Sequence, residues 1–326
     1  MTQISYAPYQ LKPSKNLNAK TLTRQPRQGM LLKIQKNKSV GYSDVHPWPE
    51  LGDLPLEEHL VALIQKNPTF LTRVSLSQAQ RDAEARSKNK SLLLLEPLLK
   101  NNFVASEIDE LTDLKLERLK KLKFQVIKLK AGVDLEKELF FSKKILGTGN
   151  FGLRLDFNSV LEWADFQKFF EAIPTKYIEY AEDPLPYSVE VWTEARKFLP
   201  VALDFEAKKL SWEKHRPPTA DILIVKPLRM NMEVITACIE AWPIDFTVTS
   251  AMDHPLGMLQ AYTWAQELAL RFPDQHRAPG CLTLDSYEPN AYQDEVLVEG
   301  PLIKSINGRG SGFKKLLEGE SWIPLS

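Results

Sequence analysis

Two lysines two residues apart interrupt an otherwise apolar run, FQVIKLKAG, at residues 124–132. Side chains alternate along a strand, so Lys128 and Lys130 share a face. Ammonium groups placed there call for acidic partners, because an unpaired buried charge is costly. Candidates follow at regular intervals. Asp156 lies 26 residues after Lys130, Glu182 another 26 on, Asp204 a further 22 and Lys226 a last 22. Taken singly, Asp204 or Lys226 would read as an ordinary surface charge. Five such groups, each closing one of successive apolar runs, point instead to a common site. Three carboxylates brought to one place repel. A hard divalent cation relieves this, Mg²⁺ in the first instance and Mn²⁺ as its substitute. The expected metal ligands are therefore Asp156, Glu182 and Asp204, flanked by Lys128 and Lys130 with Lys226 opposite.

Such an array needs a scaffold that delivers one residue per strand. From about residue 101 short apolar runs alternate with stretches of helical spacing. The runs are FVAS, FQVIKLK, GLRLDFN, YIEYAEDP, VALDFE, DILIVKP, DFTVTS and CLTLD. Between them, SVLEWADFQKFFEAI places Val160, Trp163, Phe166, Phe169, Phe170 and Ile173 on one apolar stripe. The rhythm predicts an α/β fold, a modified (β/α)7β TIM-like barrel whose site lies at the C-terminal ends of the strands. Residues 1–98 read as a separate α+β capping domain, with GMLLKIQKN and VGYSDV as strands. Residues 99–285 form the barrel, and 286–326 a tail packing back on the cap.

Composition excludes several classes of function. The chain has 326 residues with 42 basic and 42 acidic side chains, so no global charge draws it to nucleic acid or anionic lipid. Residues 1–40 carry eight Lys or Arg and no acid, which reads as the solvated face of an N-terminal sheet. No apolar run approaches the roughly 20 residues that span a bilayer, and MTQISYAPYQLKPSK lacks the apolar core of a secretory signal. A soluble cytoplasmic protein without nucleic-acid or membrane partners is expected; its oligomeric state is left open. Cys238 and Cys281 read as buried thiols, Cys281 within a strand CLTLD. The five histidines show no ligand spacing for structural zinc.

The quoted marks, Lys128-Leu-Lys130, LRLDFN around Asp156, Glu182-Asp183-Pro184, Asp204 and VKP around Lys226, resemble the enolase superfamily, muconate-lactonizing subgroup. The barrel marks and the loop GYSDVHPWPELGD, residues 41–53, are similar to those of the o-succinylbenzoate synthase family. That resemblance implies a Mg²⁺-dependent lyase acting on a small carboxylate, 2-succinyl-6-hydroxy-2,4-cyclohexadiene-1-carboxylate. Loss of water through an ene-diolate would give 2-succinylbenzoate in menaquinone synthesis. Sites of this superfamily pair a Lys or His base with Mg²⁺. By resemblance Lys130 is the base and then the acid of a syn dehydration. Lys226 stays a cation on the opposite face, while Lys128 contacts the substrate carboxylate and lowers the Lys130 pKa. Two departures bear on specificity. Phe205 stands where relatives often carry a second acid, and TSAMDHPLG retains only Ser250, Asp253 and Gly257 of a Ser-rich run. Ser250, inward by parity, and the backbone amide of Gly280 are candidates for the succinyl carboxylate.

Rival readings differ in testable ways. Dipeptide or N-succinyl-amino-acid epimerase and muconate cycloisomerase share the site. A Schiff-base aldolase would use Lys226 as nucleophile, and a non-catalytic barrel would only bind an anion. GTGNFG, residues 147–152, mimics a dinucleotide fingerprint but precedes a strand where the fingerprint must follow one. GRGSG, residues 308–312, reads as a flexible turn, and Trp48 as a lid contact or a loop anchor.

Overall fold

The computed structural model describes residues 2–15, 17, 25–209, 212–213 and 215–325. The N-terminal part contains strands β1 (Gln3–Leu11), β2 (Arg27–Lys36) and β3 (Ser39–Val45), then helices α1 (Leu56–Ile64) and α2 (Phe70–Ser87). The apolar side chains of β2 and β3, Met30, Leu32 and Val45, pack with Leu63 of α1 and Leu71 of α2 in a core of their own. Of the early basic residues, Lys12, Lys36 and Lys38 are exposed, while Lys20 and Arg24 lie outside the described residues.

The barrel strands are β4 (Phe103–Ala105), β5 (Val126–Lys130), β6 (Gly152–Asp156), β7 (Ile178–Glu182), β8 (Val201–Leu203), β9 (Ile222–Val225) and β10 (Asp245–Val248). Helices α3 (Asp113–Lys121), α4 (Leu135–Gly147), α5 (Trp163–Glu171), α6 (Val189–Ala195), α7 (Met232–Ala241) and α8 (Pro255–Arg271) alternate with them. A 3-10 turn, Phe205–Lys209, follows β8. All seven strands form one parallel sheet in the order β10-β9-β8-β7-β6-β5-β4. Odd-numbered residues such as Ile127, Leu129, Leu153 and Leu155 join the large outer core beneath the helices. Tyr180, Ala202, Ile222 and Ile224 form a separate inner cluster. The period-two reading of β5 to β9 therefore holds.

The eighth run differs from expectation. CLTLD is not a strand, and Cys281 is a buried thiol just past an isolated bridge between Thr249 and Gly280. Pro279 has no N–H to give a ladder, and the Asn101 side chain accepts the amides of Cys281 (2.9 Å) and Leu282 (3.2 Å) that a strand would have used. The segment still links the two edges of the sheet: Gly280 N donates to Val248 O (2.9 Å), and Asn102 N donates to Pro279 O (2.8 Å). Val160 likewise precedes α5, half exposed, whereas Phe166, Phe169, Phe170 and Ile173 are buried.

Beyond the barrel come α9 (Ala291–Asp294), β11 (Val296–Glu299), β12 (Leu302–Ile306), α10 (Lys314–Gly319) and β13 (Ile323–Pro324). β13 pairs antiparallel with β1, giving an N-terminal sheet of order β13-β1-β2-β3. The GRGSG turn is anchored, not flexible: Ser311 is buried and its amide donates to Asp82 Oδ1 of α2 (2.5 Å). GTGNFG is the loop joining α4 to β6, as read.

The seam between cap and barrel is polar and buried. Tyr9 donates to Asp44 Oδ1 (2.5 Å), and Asp44 Oδ2 accepts the amide of His254 at the start of α8 (2.9 Å). A Cβ on Gly257 would stand 2.6 Å from Asp44 Oδ2 and 2.8 Å from Asp253 Cβ. Gly257→Ala is therefore expected to cost about 1–3 kcal/mol by overpacking. Its denaturation midpoint should fall accordingly, and an unchanged midpoint would contradict this close approach.

Candidate active site

Each barrel strand delivers its polar residue to the same rim. Lys128 and Lys130 end β5, Asp156 ends β6 and Glu182 ends β7. Asp204 and Lys226 are the first residues past β8 and β9. Strand register aligns Lys130 with Asp156 and Asp156 with Glu182, so three neighbouring staves present one row. All six residues line a cavity of about 950 Å³, together with Trp48, Asp53, Phe205, Ser250 and Thr283. The six side chains read from sequence thus share one site.

The charges are paired unequally. Lys128 Nζ lies 2.6 Å from Glu182 Oε2 and 3.0 Å from Asp156 Oδ2. Lys226 Nζ lies 2.5 Å from Asp204 Oδ2. Lys130 forms no ion pair among the described residues; its Nζ donates to the carbonyl of Leu17. Asn158 Nδ2 donates to Asp156 Oδ1 (3.0 Å). Beneath this row the buried Arg154 guanidinium donates to Glu179 (2.7 Å), Asn102 Oδ1 (3.0 Å) and Ala278 O (2.8 Å).

These contacts separate the lysines chemically. Burial and the Lys128 and Lys226 cations outweigh Asp156 and lower Lys130 to about 8. For Lys128, burial is outweighed by Asp156 and Glu182, which hold it well above the ordinary lysine value. Lys226 is raised in the same way, Asp204 and Glu182 overcoming burial. One amine is thus poised to exchange a proton near neutrality while two remain ammonium. Among the carboxylates, burial and Asp156 push Glu182 well up. Burial acts on Asp156 too, but the ammonium groups of Lys128 and Lys130 pull it below its usual range.

Among the described residues no three acidic, His or Cys side chains stand arranged to hold a metal ion. The oxygens of Asp156, Glu182 and Asp204 pair with Lys128 and Lys226. The donor set nevertheless fits a hard divalent ion: all three groups are oxygen ligands at one rim. Asp156 and Glu182 already share one positive centre, the Lys128 ammonium. Asp156, Glu182 and Asp204 are the residues that would hold such an ion.

Two substrate candidates need correction. Gly280 lines the cavity, but its amide is committed to Val248 O at 2.9 Å and is not a free donor. Ser250 does not face inward by strand parity, since Phe246 and Val248 belong to the outer core and Thr249 lines the cavity. Ser250 reaches the cavity from beyond the strand end, with its hydroxyl 2.9 Å from that of Thr283. Trp48 is both anchor and wall: it is 4% exposed, its Nε1 donates to Ala251 O (3.1 Å), and it lines the cavity.

The sequence reading missed two positioning groups. Asp183 points away from Glu182, and its carboxylate accepts the amides of Asp204 (3.0 Å) and Phe205 (2.6 Å), fixing the backbone that carries Asp204. Its adjacency to Glu182 in Glu-Asp-Pro was the available signal. Arg229, three residues after Lys226, pairs with Asp53 and donates to His46 O, tying the 41–53 loop to the barrel.

Residues 4–85 match the family model "O-succinylbenzoate synthase, N-terminal domain". The whole chain is similar to an o-succinylbenzoate synthase from Bdellovibrio bacteriovorus, 38% identical over 329 residues and covering 100% of this chain and 99% of that protein. In fold it is similar to the L-Ala-D/L-Glu epimerase of Bacillus subtilis, with TM-score 0.76, 17% identity, and 95% and 97% of the two chains covered. It is also similar to a dipeptide epimerase of Cytophaga hutchinsonii complexed with Mg and a dipeptide, with TM-score 0.75, 14% identity and 99% of each chain covered. With full-length identity at that level, the chain belongs to the o-succinylbenzoate synthase family.

Proposed function

We propose that the protein dehydrates 2-succinyl-6-hydroxy-2,4-cyclohexadiene-1-carboxylate to 2-succinylbenzoate with Mg²⁺, or Mn²⁺ in its place, as a cytoplasmic step of menaquinone biosynthesis. The observation that carries the reading is the split among the lysines: Lys128 and Lys226 are each paired with carboxylates, while Lys130 forms no ion pair among the described residues. A divalent ion on Asp156, Glu182 and Asp204 would supply positive charge to the substrate carboxylate, which makes the adjacent C–H more acidic. Lys130 Nζ takes the α-proton, and the electron pair moves into an ene-diolate. The same ammonium then returns its proton to the departing hydroxyl, so that one water leaves and the ring becomes aromatic. Lys226 faces the developing negative charge without giving up its proton. Lys128 keeps Lys130 deprotonated by charge repulsion, and Ser250 with Thr283 meets the succinyl end. We assign residues 1–98 to the cap, 99–285 to the barrel and 286–326 to the tail.

Of the rival chemistries, a Schiff base needs Lys226 as a free amine, and its 2.5 Å contact with Asp204 keeps it protonated, which favours dehydration over an aldolase. An epimerase would use the same pair, a neutral Lys130 and a protonated Lys226, so the product formed separates it from a dehydratase. The deciding experiment is formation of the aromatic product with and without Mg²⁺. EDTA should abolish turnover and added Mg²⁺ restore it; turnover persisting under EDTA would overturn the assignment.

A pH dependence follows with a defined sign. The base acts only when deprotonated, so kcat/KM should be flat at high pH and fall tenfold per unit below the Lys130 pKa. With that value lowered to about 8, and lowered further by a neighbouring divalent cation, the acid limb should lie at or below about 8. A limb near the ordinary 10.5 of lysine would remove Lys130 from the role.

A further inference from the structure

Lys128 and Lys226 are held at their tips by carboxylates, whereas Lys130 forms no ion pair among the described residues. A reactive amine gains from this freedom, since a carboxylate at its tip would keep it protonated. The same freedom leaves the tip of a four-carbon chain with the Leu17 carbonyl as its hydrogen-bond acceptor and no charged partner among the described residues, so its placement depends on the backbone that carries it. The backbone beyond Lys130 is held accordingly. Ala131 N donates to Asp156 O (2.8 Å). The next three amides, of Gly132, Val133 and Asp134, all donate to the Glu138 carboxylate, at 2.8, 2.9 and 3.0 Å. Gly132 adopts φ +100°, and a Cβ there would stand 2.3 Å from Val160 Cγ2. Four successive amides after Lys130 thus have fixed acceptors.

Glu138 is not needed to start its own helix. The Asp134 side chain already caps α4 by accepting the amide of Lys137 (3.1 Å). Glu138 is 4% exposed, lies near the N-terminus of α4 and reaches back over the loop. A buried carboxylate is tolerated there because three N–H donors and the helix dipole face it. We propose that Glu138 is the positioning residue for Lys130: it locks residues 132–134 and so fixes where the amine meets the substrate carbon. This rests on Lys130 being the base, as proposed above. Misplacement of a reacting group by about 1 Å can cost about a hundredfold in rate, so the lock has a kinetic signature.

Glu138→Gln keeps the shape but replaces one acceptor oxygen by an amide nitrogen that faces an N–H. It should lower kcat by about ten- to a hundredfold with KM within about threefold of wild type, because the groups that bind substrate are untouched. Ile145→Ala, a fully buried position on the same helix, controls for lost stability. It should lower the thermal midpoint yet leave kcat within about twofold. A Gln variant with wild-type kcat, or an Ile145→Ala variant that loses as much, overturns the proposal.

A second readout needs no turnover. Acylation of the Lys130 amine by a water-soluble N-hydroxysuccinimide ester, followed by peptide mass spectrometry on Mg²⁺-loaded protein, should run severalfold faster in Glu138→Gln and unchanged in Ile145→Ala. Equal labelling in the Gln variant and wild type refutes the positioning role. Failure of the wild type to form aromatic product refutes the function proposed above, while the labelling still decides the role of Glu138.

Discussion

Replacing Lys130 by alanine is expected to lower kcat for aromatic product by about 10⁴-fold, the upper end of what a general acid–base group contributes. In the proposed mechanism the group serves twice, as base toward the α-proton and as acid toward the hydroxyl, so no partial mechanism would survive its loss. KM should stay close to wild type, because Lys128, Lys226 and the three carboxylates remain. The fold should also persist. Lys130 has no carboxylate partner among the described residues, and removing a buried ammonium of that kind relieves desolvation. Thermal melting followed by circular dichroism should show a midpoint no lower than wild type. Lys130→Arg separates the roles of charge and base: a guanidinium keeps the charge but does not give up its proton, so it should be as inactive as alanine. Substantial turnover in either variant would move the base elsewhere.

The placement of the candidate residues was legible where strand geometry is rigid. Lys128, Lys130, Asp156 and Glu182 lie within β5, β6 and β7, and alternation alone assigns their faces. Asp204 and Lys226 are each one residue past a strand, where the pleat still carries. Ser250 lies two residues past β10, and there parity fails because the chain has left the ladder. Gly280 fails for a related reason: the extended segment spends its amide on closing the sheet to Val248.

Contacts between distant parts of the chain were beyond any periodic reading. The Leu17 carbonyl meets Lys130 across 113 residues, and Asp53 meets Arg229 across 176. Nothing local in either segment encodes the other. The strand β1 was missed for a local reason, since Pro8 in QISYAPYQL argues against a strand interior. The structure places Pro8 opposite Met30 of β2, beyond the two residues, Ser5 and Tyr6, that β13 pairs on the other side. Proline is tolerated there because that stretch of β1 is an edge.

Lys226→Ala should separate catalysis from metal binding more sharply than any change at Lys130. In the proposed mechanism Lys226 is a cation facing the developing ene-diolate and would contribute electrostatic stabilisation of the transition state. Loss of one such group costs about 10²–10³ in kcat. Its ammonium, however, holds Asp204 Oδ2 at 2.5 Å and would compete with a divalent ion for that oxygen. Removing the ammonium frees the carboxylate and takes away a neighbouring positive charge. The variant should therefore bind Mg²⁺ more tightly than wild type while turning over far more slowly. Calorimetric titration with Mg²⁺ and saturating-metal kinetics measure the two effects independently. Weaker Mg²⁺ binding in Lys226→Ala would mean that Asp204 is held in place by Lys226 and does not compete for it. Unchanged binding would mean that Asp204 is no ligand at all, and the ion would have to be held by Asp156 and Glu182, the pair that already shares the Lys128 ammonium.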